Sequence, residues 1–306
     1  MKVIVDTDVG IDDALSITFL SACKDVEIVA ITLVPGNAQM EGVASIFWVF
    51  KIIIIGRLIE SDGYFGPNAL GEIELPKQEV SVNRDMSSVE ALIHYSKKYP
   101  KQIHGVFIGP LTNLALAFLI DNEFPSRLAS INIMGGDRSD KTLKNATEFA
   151  EFNAWCDPPA FVILKECISK INIPITIVDW ETCWTTHLPF SLVESIKNLN
   201  LQKSKKNKHI DFFDIFYDKT NKYIQRSYYE SGILATDLYV AVGLINRSIF
   251  KTIKKVNITN VDISGERIGH VDFEEHPNGS LDLVYEVDTE LMAKLIFNTI
   301  AGVDQY

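Results

Sequence analysis

Cysteine and histidine are scarce in this sequence and follow no paired pattern. The 4 cysteines, Cys23, Cys156, Cys167 and Cys183, have no CxxC or CxH spacing, and the 6 histidines form no HxH or HExxH pair. Scattered cysteines in apolar surroundings are typical of buried thiols in a cytoplasmic protein rather than of a disulfide framework. The chain therefore offers no paired metal-ligand motif built on sulfur or imidazole.

Long hydrophobic runs, positive charge and phosphate-binding loops are also lacking. The most apolar stretch, residues 46–59, contains Lys51 and Arg57 and is shorter than the roughly 20 residues of a membrane span. Met1 and Lys2 lead directly into a strand-like segment, so we expect no signal peptide. A net charge of −11 argues against nucleic-acid binding, and neither a glycine-rich phosphate loop nor a nucleophile elbow is present. We expect small-molecule partners, with neither nucleic acid nor membrane among them.

The apolar content is ample for a large core. Of the 306 residues, 47% are hydrophobic and 23% are charged. A chain of this length buries roughly three quarters of its surface on folding. It does not need a metal for stability, so we expect any bound metal to serve chemistry.

Short runs rich in Val and Ile alternate with segments of helical spacing. The predicted strands are Lys2–Val5, Val26–Val34, Ile103–Ile108, Ile131–Met134 and Ile173–Val178. The predicted helices are Asp12–Cys23, Met40–Ile55, Ser87–Lys98, Leu111–Leu119 and Pro158–Lys170. This alternation predicts an α/β fold with an open, mostly parallel sheet, helices on both faces and a Rossmann-like core.

The last third of the chain has a different composition. The polar basic run Asn198–Lys208 is interpreted as an exposed loop or helix end, and Ile210–Ser231 is aromatic-rich with helical spacing. Beyond it we predict strands and a closing helix that Asp288 caps. Their bounds are Val256–Ile263, His270–Phe273 and Leu281–Val287 for the strands and Asp288–Ile300 for the helix. We interpret residues 1–306 as a single domain.

The segment DTDVGIDDA places four carboxylates between the first strand and the first helix, at Asp6, Asp8, Asp12 and Asp13. In an open α/β sheet, ligands bind at the carboxyl ends of the strands, where this cluster lies. Like charges this close repel unless a cation or hydrogen-bond donors neutralise them, or unless one carboxyl has a raised pKa. A helix N-terminus accounts for Asp12 and Asp13 but leaves Asp6 and Asp8 unexplained. We therefore predict a site for a hard cation, Ca²⁺ or Mg²⁺.

Two other motifs share features with this segment. An EF-hand loop needs Gly at its sixth position and Glu at its twelfth, where this chain has Ile11 and Ile17. A haloacid-dehalogenase-type phosphatase also begins with a strand and Asp-x-Asp, with Asp6 as nucleophile and Asp8 as acid/base. Residues 136–140 (GDRSD) are similar to the last acidic motif of that superfamily. Gly10 departs from its pattern and Asp12 and Asp13 have no role in it, but the phosphatase stays the alternative.

Glycine–polar clusters follow several further predicted strands, and their order carries a resemblance. The clusters are Val34–Asn37, Ile108–Ala115, Ile133–Gly136, Asn145–Thr147, Ala150–Asn153 and Thr236–Asp237. Together with DTDVGIDDA, this order resembles the inosine–uridine-type nucleoside hydrolases from Lys2 to the last helix. The resemblance implies a Ca²⁺-dependent enzyme that hydrolyses the N-glycosidic bond of a ribonucleoside or related riboside to ribose and free base. It also implies a homodimer or homotetramer.

The same resemblance implies roles for individual residues. Asp8 matches the residue that binds Ca²⁺ and deprotonates the attacking water, and Asp6 matches a supporting acid beside the metal. Further Ca²⁺ ligands would be Asp13, Asp237 and the backbone carbonyl of Ile108. Residues matching those that hold the ribose are Asp12, Asn37, Glu151 and Asn153, with Met134 and Asn145 nearby.

The leaving base is where this chain departs from the better-known members of that family. Many of them have a histidine general acid directly before the aspartate that matches Asp237, where this chain has Thr236, and another histidine is Phe65 here. A hydroxyl is a poor general acid because its pKa lies far above neutrality. Aromatic stacking could raise the basicity of the base, or the leaving group could already be good or cationic; the candidate contacts are Phe65, Trp184, Tyr223, Tyr228, Tyr229 and Thr236. A catalytically weak riboside-binding homologue is a further alternative.

Overall fold

The strands and helices are defined by a computed structural model that describes residues 1–37, 85–139, 145–202, 207–215 and 232–303, with the backbone of 52–53 and 82–83. The strands are β1 (Lys2–Thr7), β2 (Glu27–Leu33), β3 (Ile52–Ile53), β4 (Val82–Asn83), β5 (Ile103–Phe107), β6 (Ser130–Met134), β7 (Ile175–Val178), β8 (Phe250–Val261), β9 (Val271–Glu275) and β10 (Leu281–Val287). The α-helices are α1 (Ile11–Ala22), α2 (Ser88–Lys98), α3 (Thr112–Ile120), α4 (Phe152–Cys156), α5 (Pro158–Ile168), α6 (Trp180–Thr185), α7 (Phe190–Gln202), α8 (Thr236–Ile245) and α9 (Thr289–Ala301). Residues 208–215 are also helical.

The main sheet has eight strands in the order β2-β1-β5-β6-β7-β10-β8-β9. The first six pair in parallel, whereas β8 is antiparallel to β10 and β9 is antiparallel to β8. Strands β3 and β4 form a separate parallel pair. The predicted open, mostly parallel α/β sheet is confirmed, and its antiparallel edge comes from the C-terminal strands.

The two faces of the sheet carry separate apolar cores. Along β1, Val3 and Val5 pack into one cluster and Ile4 into the other, because successive side chains of a strand point to opposite faces. Residues of α1, α8 and α9 cover the first face, and residues of α2, α3 and α5 cover the second. Helices on both faces, as predicted, leave the strand ends as the place where polar side chains can meet.

The bounds of most predicted elements agree with the structure. Strand β10 has the predicted limits, and the Asp288 side chain caps α9 by accepting a hydrogen bond from the Leu291 N–H at 3.0 Å. The predicted strand Val256–Ile263 starts too late, because β8 begins at Phe250, which pairs with Val287 of β10. The end of the predicted helix Met40–Ile55 is wrong, since residues 52–53 form β3; residues 40–51 lie outside the described part.

The C-terminal third agrees in part. Helix α7 continues to Gln202, so the first residues of the basic run, 198–202, form the end of a helix. The predicted helix from Ile210 is helical as far as residue 215. Residues 216–231 lie outside the described part. Cys183 is buried and the other three cysteines are half-buried, all as free thiols. Within the described residues, every helix is too short or too polar to cross a lipid bilayer.

Candidate active site

A cavity lies where β1, β5 and β6 end. Asp8 follows the end of β1, Ile108 follows β5, and Met134 is the last residue of β6. The described residues that line it are Asp8, Asp12, Asn37, Ile108, Met134, Asn145, Glu151, Phe152, Asn153, Trp180, Leu234, Thr236 and Asp237. Every residue assigned to the metal or the ribose thus lines this cavity except Asp13, whose carboxylate lies within 4.8 Å of those of Asp12 and Asp237.

The turn between β1 and α1 positions the acidic side chains. Val9 has a φ of +65°, a conformation that a β-branched residue adopts at a cost of about 1–3 kcal/mol. The Thr7 hydroxyl accepts a hydrogen bond from the Val9 N–H at 3.1 Å and donates to the Asp13 carboxylate. Asp13 also accepts from the Gly10 N–H at 2.7 Å, which caps α1. This turn holds Asp8 and Asp13 rigidly at the edge of the sheet.

Asp8 is 2% exposed and is held from the next strand along the sheet. The backbone N–H of Asn37, beyond the end of β2, donates to Asp8 Oδ2 at 2.8 Å. Burial first, and then the charge of Asp13, raise the pKa of Asp8 well above its usual range. A carboxylate with a raised pKa is a better proton acceptor than an exposed one, which suits a general base.

Three carboxylates form the tightest acidic group of the site. One oxygen each of Asp12, Asp13 and Asp237 lies within 4.8 Å of the other two. Burial, followed by the charge of Asp12, raises the pKa of Asp13 to about 7, and burial raises that of Asp237 well above its usual range. No cationic side chain is among the described residues that line the cavity. An acidic cluster that resists ionisation fits a divalent cation, which would neutralise it with hard oxygen ligands.

The cluster differs in one member from the ligand set that the resemblance implies. That set groups Asp8 with Asp13 and Asp237, whereas the three nearest carboxylates include Asp12 in place of Asp8. Asp8 is nevertheless close enough for its charge to raise the pKa of Asp237. All four side chains therefore belong to one electrostatic unit.

The ribose side of the cavity is built on the N-terminus of α4. The buried Glu151 caps this helix, accepting hydrogen bonds from the N–H groups of Asn153 at 2.8 Å, Gly136 at 2.9 Å and Ala154 at 3.0 Å. Burial raises the pKa of Glu151 to about 7 despite these donors. Glu151 is thus anchored by the backbone while it lines the cavity.

Two asparagines connect this helix to its surroundings. The Asn153 amide donates to the carbonyls of Ile108 at 3.2 Å and Met134 at 3.3 Å, joining the ends of β5 and β6. The Asn145 side chain accepts from the Phe152 N–H at 2.9 Å. These bonds fix the polar wall of the cavity before any ligand enters.

Thr236 is the first residue of α8, and its hydroxyl is hydrogen-bonded to an acidic side chain of the cavity. It donates a hydrogen bond to Asp12 Oδ2 at 2.6 Å, and Asp237 Oδ1 lies farther away at 3.5 Å. The other predicted contacts to the base, Phe65, Tyr223, Tyr228 and Tyr229, lie outside the described residues.

Three lining residues were missed by the sequence analysis, namely Phe152, Trp180 and Leu234. Trp180 stands two residues beyond the end of β7, so its strand-end position is a signal that could have identified it. Trp184, which was singled out instead, packs on Trp180 with ring centroids 5.8 Å apart and is not among the described lining residues. Trp180 therefore takes the place on the cavity wall expected of Trp184.

Asp6 lies beneath the site rather than in it. It is buried and accepts hydrogen bonds from the Thr32 hydroxyl and, at 2.9 Å, from the Asn113 amide. Burial raises its pKa to about 7. Among the described residues that line the cavity, Asp6 does not occur, and a phosphatase nucleophile has to reach its substrate. The geometry supports the interpretation of Asp6 as a supporting acid.

Gly36 is expected to be essential for activity, because it lies too close to Asp8 to carry a side chain. A Cβ at this position would lie 2.1 Å from Asp8 Oδ2 and 2.6 Å from Asp8 Cβ. We expect Gly36→Ala to displace the Asp8 carboxylate and to lower kcat by a factor of about 10², as misplacement by an ångström can do. Steady-state kinetics test this, with Gly265→Ala in an exposed turn as the control. Its φ of +80° strains an alanine, but nothing lies within 4 Å of a Cβ there, so the change costs stability away from the cavity. Equal activities of the two variants would contradict the prediction.

An open α/β sheet with buried carboxylates clustered at the ends of its strands is the arrangement of an α/β enzyme whose site can hold a metal ion. A sequence model described as inosine-uridine preferring nucleoside hydrolase matches residues 3–294. The chain belongs to this family of N-ribohydrolases, which cleave ribonucleosides to ribose and free base.

Individual relatives agree with this assignment. Over 285 residues the chain is 28% identical to uridine nucleosidase 1 of Arabidopsis thaliana, covering 88% of this chain and 80% of that protein. It is 28% identical over 194 residues to the inosine-uridine preferring nucleoside hydrolase of Crithidia fasciculata, covering 57% and 61% of the two chains. The purine-preferring ribonucleoside hydrolase from Gardnerella vaginalis has the same fold, with a TM-score of 0.84 at 23% identity over 99% of this chain and 98% of that one.

Proposed function

We propose that this enzyme uses Ca²⁺ to hydrolyse the N-glycosidic bond of a purine or pyrimidine ribonucleoside or a related riboside, with Asp8 as general base. The observation that carries the proposal is the convergence of Asp8, Asp12, Asp237 and Glu151 on one cavity. A ribose has several hydroxyl donors for these carboxylates, and its carbon C1 gains positive charge as the base departs. The four acids can accept hydrogen bonds from the ribose hydroxyls and can stabilise the positive charge at C1.

Ca²⁺ would be held by the carboxylates of Asp8, Asp13 and Asp237 and by the carbonyl of Ile108, with Asp12 adjacent to them. Carboxylate and carbonyl oxygens from several chain segments suit Ca²⁺, whereas Mg²⁺ keeps several waters and seldom occupies such a cage. When bound, the ion supplies a Lewis acid that lowers the pKa of a water and orients it near the ribose. The buried carboxylates support this proposal, because they ionise poorly unless a cation is present.

Asp8 would accept the proton of the attacking water. The hydrogen bond from Asn37 N–H fixes one of its oxygens, so the carboxylate does not have to reorganise during the reaction. Asp12, Asn37, Asn145, Glu151 and Asn153 would hold the ribose hydroxyls, with Met134 against the ring. Phe152 and Trp180 would form an apolar part of the wall. We also propose that the enzyme is a homodimer or homotetramer, which light scattering would test. We further propose a cytoplasmic location, which cell fractionation would test.

In the Ca²⁺-free protein, the free energy of unfolding is expected to fall as the pH rises. The pKa of Asp13 is raised from 3.8 to about 7 in the folded protein, and those of Asp8 and Asp237 are raised as well. A folded state that holds these protons is destabilised when the pH passes from about 4 to about 7, because the unfolded chain loses them first. With a chelator, we expect Tm to fall across this window, and Ca²⁺ at pH 7 to raise it by on the order of 5 °C.

Scanning calorimetry across this pH range, with and without Ca²⁺, measures the effect, and Mg²⁺ at the same concentration is the control for ion specificity. A Tm at pH 7 that does not respond to Ca²⁺ would rule out the proposed ion site.

Release of reducing sugar from a panel of purine, pyrimidine and nicotinamide ribosides tests the function as a whole. The expected result is Ca²⁺-dependent release from at least one riboside by the wild type and background release by Asp8→Ala. Turnover of p-nitrophenyl phosphate with Mg²⁺, with every riboside left intact, would support a phosphatase instead. Calorimetric binding of a nucleoside without release would support a catalytically weak homologue.

A further inference from the structure

The hydroxyl of Thr236 has a single proton, and the geometry assigns that proton to Asp12. The Thr236 oxygen lies 2.6 Å from Asp12 Oδ2, a short distance typical of a hydroxyl that donates to a carboxylate. The next acceptor, Asp237 Oδ1, is 3.5 Å away and lies at the limit of hydrogen bonding. Both Asp12 and Thr236 line the cavity, so this bond lies where a substrate would bind.

A hydroxyl that donates to a carboxylate retains two lone pairs and no further donor. Thr236 can therefore accept a hydrogen bond from a substrate but cannot donate one to a departing base without giving up Asp12. Giving up Asp12 would remove this side-chain hydrogen bond to Asp12 Oδ2, to which no other described side chain donates. The bond joins residues that are 224 positions apart, so it also ties α8 to the N-terminus of α1 across the cavity.

We propose that Thr236 is a positioning residue that holds the Asp12 carboxylate in place for the ribose hydroxyls and does not protonate the leaving base. The inference rests on the proposed riboside hydrolysis and deepens it. It implies that the leaving group takes its proton from a source other than Thr236, or leaves without one.

Two substrates with the same ribose and different leaving groups test the proposal. A nucleoside base leaves with difficulty unless it is protonated, whereas p-nitrophenol departs from p-nitrophenyl β-D-ribofuranoside as a stable anion. Loss of a proton donor slows only the nucleoside, while loss of a ribose-positioning contact slows both. Thr236→Val removes the hydroxyl at nearly constant shape, and Thr236→Ser keeps it.

We expect Thr236→Val to lower kcat/KM by a factor of about 10 to 10² for both substrates alike, which corresponds to loss of a hydrogen bond to a charged group. Thr236→Ser should stay within about three-fold of the wild type, because it still donates to Asp12. In the Asp12→Ala background, Thr236→Val should change kcat/KM by less than about two-fold, since the partner is already absent. Melting curves of all variants separate these effects from loss of the fold.

A decrease confined to the nucleoside would identify Thr236 as the proton donor and overturn the proposal. An unchanged kcat/KM for both substrates, or a full effect of Thr236→Val in the Asp12→Ala background, would overturn it as well. If the folded wild type releases sugar from neither riboside, the proposed function itself fails, and the positioning role fails with it.

Discussion

Asp8→Asn is expected to lower kcat for riboside hydrolysis by a factor of about 10²–10⁴, the usual contribution of a general base. The amide keeps the size of the side chain but has no basic oxygen that can take a proton from water. Its nitrogen would also lose the hydrogen bond from Asn37 N–H if it took the position of Oδ2. Single-turnover kinetics, with the Ca²⁺-loaded enzyme in saturating excess over the riboside, measure the chemical step directly.

Asp6→Asn is the matched control, since Asp6 lies two residues earlier, on β1. Asp6 contacts Thr32 and Asn113 rather than the cavity, so its replacement should reduce activity less than Asp8→Asn does. A phosphatase with Asp6 as nucleophile predicts the opposite order, with p-nitrophenyl phosphate as the substrate that is lost. Equal riboside activity of Asp8→Asn and wild type would remove Asp8 from the mechanism.

Glu151→Gln is expected to lower the free energy of unfolding by about 2–3 kcal/mol and to impair ribose binding. Both oxygens of Glu151 accept backbone N–H groups, from Asn153 on one side and from Gly136 and Ala154 on the other. In either orientation, the Gln NH₂ group would face a buried donor, so at least one N–H would lose its partner.

Urea unfolding above pH 7, where Glu151 is ionised, measures this cost. Glu148→Gln, in the same loop and exposed, is the control and should stay within about 0.5 kcal/mol of the wild type. A Glu151→Gln protein as stable as this control would show that the three N–H bonds contribute little.

The acidic turn and the strand ends could be predicted from the sequence for physical reasons. Four carboxylates between a strand and a helix need neutralisation, and parallel strands deliver their carboxyl ends to one edge of the sheet. These reasons predict Asp8 as a site residue, whereas the role of Glu151 is implied by the family resemblance alone. What local sequence does not determine is the distance between side chains from different segments, so Asp12 joins Asp13 and Asp237 more closely than expected.

Two helices show where periodicity fails. Helix α8 is buried almost throughout, from Thr236 to Gly243, and such a helix has no polar face to reveal its period. Helix α4 has only five residues and is capped by Glu151, which is not among the usual capping residues. For these reasons the starts of the two helices could not be placed from the sequence, although both helices carry site residues at their N-termini.

Thr236 shows that local sequence also does not determine which partner a side chain binds. The sequence shows a hydroxyl where a histidine acid is expected, and it suggests a contact to the leaving base. The structure gives that hydroxyl a partner from the other end of the chain, Asp12, and so changes its predicted role.

Quantification of both products from a single riboside tests the central claim most directly. In phosphate-free buffer with Ca²⁺, we predict that free base and ribose appear in equal amounts, that chelation stops both, and that added Ca²⁺ restores both. Failure to release base from any riboside, or release that chelation leaves unchanged, would contradict the account.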